Sequence, residues 1–575
     1  MEKTDKIYKI RHSLAHLLAI AALEHDPNAK LTIGPVVDNG FYYDIDFSEG
    51  KAPTPEDLKK IQKTMKKLAG RKLSFTKRTL TDDEARKMFA DNPYKMELIE
   101  GIIKEGEQAT VYDTGDFTDL CEGPHVENTG EIDTDAFKID HIAGAYWRGN
   151  EKNKMLTRIY GLAFETAKDL DDYLKMIEEA KKRDHRKLGK ELDLFTFSDL
   201  VGPGLPLWTP KGTLLRETLD GFVRELREKH GYQRVTIPHI TKKALYETSG
   251  HWAKFSEELF KITTREGKEY AMKPMNCPHH TQIFARAQWS YRDMPQRYAE
   301  TTMVYRDEQS GELGGLTRVL SITQDDAHVF ARPSQIKEEF FAIWDIINTV
   351  YETFGFELRV RLSFHNPDAF EKYLGTKEVW EKAEDAIREI AKERKANYFE
   401  APGEAAMYGP KLDFMAKDSL GREHQVATIQ LDMNLPERFD LFCINEKGEK
   451  ERVVMIHCAI MGSIERFSAV LLEHLGGNLP FRFSPVQVWV LPITDAHEEY
   501  AREVLATLKK AGIRTEFHNE SETLGKKIRN GKLQKIPYLL VVGDKETEEK
   551  TVTIETRGEE TNKAVPLTKL LENLK

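Results

Sequence analysis

A chain of 575 residues exceeds what one hydrophobic core organises, so three or four domains are expected. Its 40% hydrophobic and 31% charged residues describe an ordinary globular composition, and a net charge of −10 argues against a protein that coats nucleic acid nonspecifically, while leaving room for a local basic face. The cysteines (121, 277, 443, 458) show no disulfide-framework spacing, the N-terminus lacks a signal-peptide core, and no run approaches ~18 apolar residues, so a cytoplasmic protein without membrane spans is expected.

In chain order, residues 1–164 form a first unit. Leu14, Leu17, Leu18 and Leu23 recur at helical spacing, which puts His12 and His16 on one face. Alternation in LTIGPVVDNGFYYDIDF predicts strands, EDLKKIQKTMKKLAG a helix with a solvated lysine face, and AYWRG a short strand. TDLCEGPHVENTG adds Cys121 and His125. Together with His12 and His16 these make four potential metal ligands, which are costly to bury unpaired; spacing leaves zinc open. Residues 165–195 read as one charged linker helix with a thin apolar stripe (Leu170, Leu174, Ile177), its basic end KKRDHRK offering a nucleic-acid backbone contact.

Residues 196–480 hold the largest unit. A long helix in GTLLRETLDGFVRELREKHG stops at Gly231 and gives way to a strand ending at Pro238. From Arg297 to Phe330, alternating residues break at the Gly-rich SGELGG and resume as a second strand, which predicts a long antiparallel hairpin. Arg306 and Arg318 flank its loop, and forked guanidiniums suit phosphate and carboxylate. On spacing alone, a surface hairpin with ordinary salt bridges is the default reading. Cys277, His328 and His457 lie 51 and 129 residues apart, which by itself predicts no site. In residues 481–575 the order strand, helix, strand, helix, strand, strand, helix predicts a small α/β domain with a largely parallel sheet.

Read together, YRDEQSGELGGLTR and TQDDAH resemble the motif 2 hairpin of class II aminoacyl-tRNA synthetases of the threonyl family. The resemblance recurs at MKPMNCPHH, at ATIQLD and, as motif 3, at HCAIMGSIERF; the long helix and strand before Pro238 resemble motif 1, which builds the family's homodimer interface. It implies a multidomain α+β chain: a six- or seven-stranded antiparallel catalytic sheet between an α+β editing domain and an α/β anticodon-binding domain. The implied substrates are L-threonine, ATP with Mg²⁺, and tRNA(Thr). Cys277, His328 and His457 match the family's zinc-ligand segments, a three-ligand set that leaves a fourth position open. In the family that opening takes the amino and hydroxyl groups of threonine, and valine has no hydroxyl to offer.

The same resemblance implies that Arg306 holds the α-phosphate and Arg466 the γ-phosphate, with Glu308 on adenine, Ser463 on adenosine, and Arg318 and Gln425 also on the nucleotide. Gln324 and Asp326 orient the amino acid, Asp326 facing its ammonium, and Met275, Tyr408, Lys411 and Gln430 complete the pocket. Three positions depart from the family pattern: Ile322 replaces the usual aromatic beside adenine, Cys458 an arginine, and Ala427 a glycine. Altered ATP affinity rather than lost activity is expected from Ile322.

HSLAHLLA and DLCEGPH match the family's editing domain, so His12, His16, Cys121 and His125, joined by Tyr43, Lys95 and Asp119, are expected to hydrolyse seryl-tRNA(Thr). Serine has the hydroxyl and lacks one methyl, which discriminates by only ~10–200-fold, so a second sieve is needed. In the related alanyl enzymes the constellation binds zinc, so a metal stays open here, and Glu122 stands where an arginine is common. Glu546 and Lys535 are the implied anticodon contacts, although Lys535, Ser521 and Glu555 all depart from commoner residues. The chain is expected to start at the editing domain, without a small preceding domain. Two rivals stay open. A proline or serine paralogue is disfavoured by the Cys277/His328/His457 set, and an RNA-binding regulator with a dead active site is disfavoured by the retained arginines and histidines.

Overall fold

The computed structural model describes residues 4–559 and 562–574 and divides into two compact units, Met1–Glu178 and Glu179–Lys575. In the first, the helix Lys6–His25 buries Leu14, Ala15, Leu17, Leu18 and Ala19, as expected of a helix apolar on most of its faces. It packs on the helix Pro55–Ala69, which Thr54 and Asp57 cap reciprocally and whose Leu58, Ile61, Met65 and Leu68 turn inward. It also meets a five-stranded antiparallel sheet built on Gly40–Asp46, Met155–Ala163 and Phe137–Tyr146. Met155–Ala163, unread in the sequence, is central in it. Phe75–Thr79, Thr110–Thr114 and Phe117–Leu120 form a separate antiparallel sheet that carries Asp119.

The expected single helix over 165–195 is two helices, Ala167–Arg183 and His185–Glu191. Asp184 breaks it: its backbone is extended and its side chain accepts the Arg186 amide, so it starts a new helix instead of continuing the old one. The second helix is no free linker, because Leu188 and Leu192 are buried in the main core of the second unit.

That core lies against an eight-stranded sheet ordered Gln233–Arg234, Gln296–Tyr305, Ser321–Ala331, Val454–Ser463, Glu423–Asp432, Lys411–Lys417, Glu357–Phe364, Tyr398–Pro402. Its two outermost pairings are parallel and the five between them antiparallel, so the expected antiparallel sheet is present with a parallel strand added at each edge. The predicted hairpin runs in register from Gln296 opposite Phe330 to Tyr305 opposite Ser321. Helices Pro210–Lys229, Ile336–Thr353 and Ile464–Leu475 contribute Leu215, Leu219, Phe340, Ile347, Phe467 and Leu471 to the core. The strand expected up to Pro238 shrinks to Gln233–Arg234.

Residues 481–575 carry their own core of Val488, Val490, Val504, Leu540 and Ile554. Their sheet is ordered Thr515–Phe517, Val488–Pro492, Tyr538–Val542, Thr551–Thr556, Lys563–Pro566, with two parallel and then two antiparallel pairings. The largely parallel expectation is corrected for a simple reason. Only the short helix Asp544–Glu549 separates two of the strands, whereas a parallel crossover needs roughly a dozen residues. The final helix is likewise reduced to Leu570–Asn573, preceded by a 3₁₀ turn over Leu567–Lys569 that follows the paired strand Lys563–Pro566.

Candidate functional site

Sheet register assembles the central cluster. On Ser321–Ala331, residues two apart share a face, so Gln324, Asp326 and His328 point one way and Asp325 the other. His328 lies opposite His457, and His457 opposite Gln430. Cys277 opens the helix Cys277–Phe284, and its sulfur and the imidazole nitrogens lie within 4.8 Å of one another, all three residues buried. His328 Nε2 sits 3.1 Å from His457 Nδ1, and the outward nitrogens are both held: His457 Nε2 donates to Asp432 Oδ2 at 2.9 Å, and His328 Nδ1 lies 2.8 Å from His280 Nδ1. Imidazoles fixed from behind with inward nitrogens converging on a thiol are the donor set of a zinc site, so the residues fit the ion. Burial pushes the Cys277 thiol up and His328 well below its ordinary range.

Around this cluster Tyr408 stacks on His457 with centroids 4.8 Å apart, and its hydroxyl reaches Met275 Sδ at 3.7 Å. Asp326 accepts from Asn276 Nδ2 at 3.0 Å, and burial raises its carboxyl. Asp325, facing the other way, accepts the Ile460 and Met461 amides at 3.0 Å and pairs with the buried Arg227 guanidinium at 3.3 Å, tying the long helix to the second hairpin strand and to its neighbour Val454–Ser463. Gln425 and Lys411 meet on Asp413: Gln425 Nε2 donates to Oδ1 at 3.0 Å and Lys411 Nζ lies 3.4 Å from Oδ2, beside Arg361 at 3.0 Å. Gln430 donates to the Gly409 carbonyl.

The hairpin loop brings Arg318 and Glu308 together at 2.6 Å, with Glu312 at 3.2 Å, so two expected nucleotide contacts are bonded to each other. Arg306 leaves its Nε buried and without a hydrogen bond. Ser463 caps the helix Ile464–Leu475 by accepting the Arg466 amide, which fixes where Arg466 leaves the backbone, and Ser463 donates to the buried Glu465. Ile322 is half-buried opposite Val304.

The N-terminal cluster is built differently. The helix Lys6–His25 carries His12 and His16, and the loop after Phe117–Leu120 brings Cys121 and His125 within 4.8 Å of them. Cys121 Sγ is 3.3 Å from His12 Nε2 and 3.2 Å from His125 Nε2. His12 Nδ1 donates to the Pro124 carbonyl at 3.1 Å and His125 Nδ1 lies 3.2 Å from Ser13 Oγ. Beside them, Lys95 Nζ pairs with Asp119 at 2.6 Å and Tyr43 donates to the same carboxylate, three side chains that are almost wholly buried. The seven residues, His125 excepted, line a cavity of about 870 Å³. Burial pushes the Cys121 thiol up to about 12 and His16 down to about 3.

Of the two expected anticodon contacts, one has its functional group engaged. Glu546 spends its carboxylate on the Gly543 amide and the Thr553 hydroxyl, and Lys535 lies against Gly477 with its carbonyl accepting from Arg557. Sequence reasoning missed His251 (Nε2 3.3 Å from Met275 Sδ), Asn276, His280, Asp413, Arg361 and Asp432. Asn276, His280 and Asp432 sit inside quoted motifs and were within reach; Asp413 and His251 carry no local pattern.

The family description "tRNA synthetase class II core domain (G, H, P, S and T)" matches residues 260–475, "Anticodon binding domain" matches 487–575, and "Threonyl and Alanyl tRNA synthetase second additional domain" matches 109–160. The chain is 50% identical over 552 residues to the threonine–tRNA ligase of Flavobacterium johnsoniae, covering 96% of this chain and 84% of that one. It is 50% identical over 564 residues to that of Gloeobacter violaceus, covering 96% and 89%. The chain belongs to the threonine–tRNA ligases. Among solved structures, one described as the RNA binding domain of threonyl-tRNA synthetase from Cryptosporidium parvum Iowa II is similar at 40% identity and a TM-score of 0.65, covering 68% of this chain and 97% of that one. Prolyl-tRNA synthetase from Giardia lamblia, at 16% identity and a TM-score of 0.56, shares the fold. In this threonine–tRNA ligase the class II core contains the whole Cys277/His328/His457 cluster, and the second additional domain contains Cys121 and His125. No helix among the described residues is long and apolar enough to cross a membrane.

Proposed function

We propose that this chain activates L-threonine with ATP and Mg²⁺, transfers it to tRNA(Thr), and hydrolyses seryl-tRNA(Thr) at a second site, as a cytoplasmic homodimer that pairs through the region around Pro210–Lys229. The single observation that carries the central reading is the convergence of Cys277 Sγ, His328 Nε2 and His457 Nδ1 in a chain of this family. These residues hold one zinc per subunit, which supplies a Lewis-acid position for the amino and hydroxyl groups of threonine. Asp326, steadied by Asn276, faces the substrate ammonium, and Gln324, Gln430, Lys411, Tyr408 and Met275 shape the pocket around it.

Joining the carboxylate to the α-phosphate builds up charge that fixed cations stabilise better than a base would. Arg306, with an uncommitted buried Nε, holds the α-phosphate, and Arg466 holds the γ-phosphate. Glu308, Arg318, Gln425 and Ser463 hold the remainder of the nucleotide, and ATP exchanges the Arg318–Glu308 pair for its own contacts. In the N-terminal cavity, His12, His16, Cys121 and His125 handle the water that attacks the seryl ester, and Tyr43, Lys95 and Asp119 position the tRNA end. Residues 1–164 then form the editing domain, 165–195 the connection, 196–480 the catalytic domain and 481–575 the anticodon-binding domain, with Glu546 and Lys535 as base contacts.

The decisive experiment is ATP–pyrophosphate exchange across a panel of amino acids, with and without a zinc chelator. Exchange with threonine, weaker exchange with serine, none with valine, and loss of all on chelation is the expected pattern. Silence across the panel from folded protein would leave an RNA-binding protein without ligase activity.

A further inference from the structure

The basic segment after the long linker turns one of its residues inward. His185, first residue of the helix His185–Glu191, is buried, and its ring is held from both sides. Its Nε2 accepts the Leu316 amide at 3.1 Å, so the ring proton sits on Nδ1, which donates to Glu473 Oε1 at 2.7 Å; the His185 amide donates to the same oxygen at 3.1 Å. Glu473 belongs to the helix Ile464–Leu475, and its other oxygen accepts from Arg422 at 2.6 Å.

Leu316 lies in the hairpin loop between Arg306 and Arg318. There the Gly314 amide donates to the Arg318 carbonyl at 3.2 Å, the Thr317 amide donates to the Gly314 carbonyl at 2.9 Å, and the Leu316 side chain is fully buried. Gly315 has φ +54, and a Cβ there would come within 2.3 Å of His185 Nε2, so the loop backbone rests directly on the imidazole. Asp184, His185 and Glu473 resemble a metal-ligand trio. Both ring nitrogens and both Glu473 oxygens are spent on hydrogen bonds, however, and Asp184 is spent on Arg186.

We propose that His185 is a positioning residue for adenylate formation: as a neutral imidazole wedged between Glu473 and the Leu316 amide, it fixes the turn 314–318 and so presents Arg318 and Glu308 to ATP. The proposal rests on the reading that this loop contacts the nucleotide. Inside the turn the Gly314 and Thr317 amides hold its shape, but the Leu316 N–H to His185 hydrogen bond anchors it to the helix beside it; when that acceptor goes the turn loses part of its preorganisation, and the loss falls on the ligand that the loop holds.

The test is pyrophosphate exchange by the full-length protein, with KM measured separately for ATP and for threonine. His185→Ala is expected to raise KM for ATP about tenfold and leave KM for threonine within about twofold. His185→Gln, whose amide oxygen can accept the Leu316 N–H, is expected to recover most of the loss. An unchanged KM for ATP, an equal rise in both constants, or a glutamine variant no better than alanine each overturns the proposal. If His185→Ala does not fold, Gly315→Ala pushes the same contact apart from the loop side and is read by the same split. Arg318→Ala keeps the underlying reading separable. If it leaves KM for ATP unchanged while His185→Ala raises it, the assignment of Arg318 fails and the positioning role of His185 stands.

Discussion

Cys277, His328 and His457 are buried where sheet and helix meet, whereas His12, His16 and Cys121 line the wall of a cavity of about 870 Å³. The side-chain types are the same, and the difference lies behind them. In the central cluster one histidine is backed by the Asp432 carboxylate, which makes it a stronger donor and brings the negative charge a cation needs. In the N-terminal cluster the groups seen behind His12 and His125 are the neutral Pro124 carbonyl and Ser13 hydroxyl, and the nearest charges are the neighbouring Lys95–Asp119 pair. A charged outer partner marks the site built to keep an ion, and neutral partners beside a cavity leave imidazoles to act on a molecule held there.

The sharpest way to break this contrast is to remove one thiol at a time. Cys277→Ser is expected to drop bound zinc from one equivalent to none and threonine-dependent exchange by about a thousandfold, the scale of several kcal/mol that a bound cation supplies. Cys121→Ser should keep both. Zinc that survives the first change and vanishes in the second would reverse the two assignments. Next in size, Cys121→Ala and His16→Ala should each slow seryl-tRNA deacylation by about 100-fold or more, the usual contribution of a positioned proton-transfer group, with pyrophosphate exchange unchanged. Deacylation at wild-type speed in both variants would empty the N-terminal cavity of its proposed role. A smaller effect tests the backing groups themselves. Asp432→Asn keeps the shape and removes the charge, and zinc affinity measured by chelator competition should fall ~10–100-fold. Ser13→Ala, with a neutral partner to lose, should change deacylation only a few-fold.

The hairpin was legible because alternation over both arms and a Gly-rich break between them are local signals, and the register from Gln296–Phe330 to Tyr305–Ser321 follows from them. The clustering of Cys277, His328 and His457 was not legible from spacing, since sheet order, not sequence distance, makes His328 and His457 neighbours; only the resemblance of the flanking segments pointed there. The break at Asp184 was hidden because no glycine or proline marks it and an aspartate is tolerated inside a charged helix. The mixed sheet near the C-terminus was readable in principle from the short stretch between Val542 and Thr551, had connection length been weighed against strand direction.

The smallest effect concerns protons. Burial holds His16 down to about 3, far below the ~6.5 of a solvated imidazole, so in the folded protein this ring stays neutral throughout the mildly acidic range. A group with a depressed histidine pKa takes its proton first in the unfolded chain, so the N-terminal unit should lose stability as pH falls below about 6.5. While the fold persists, however, His16 is present in full as a neutral base, and the expectation that follows is for hydrolysis in which His16 takes the proton. The catalysed part of seryl-tRNA hydrolysis, corrected for the spontaneous rate, should therefore change less than about twofold between about pH 7.5 and about pH 5.5. A fall centred near ~6.5, with the unit still folded by circular dichroism, would mean that the titrating imidazole is solvated. The N-terminal cluster would then differ from the central one in its hydration as well as in the charge of its backing groups.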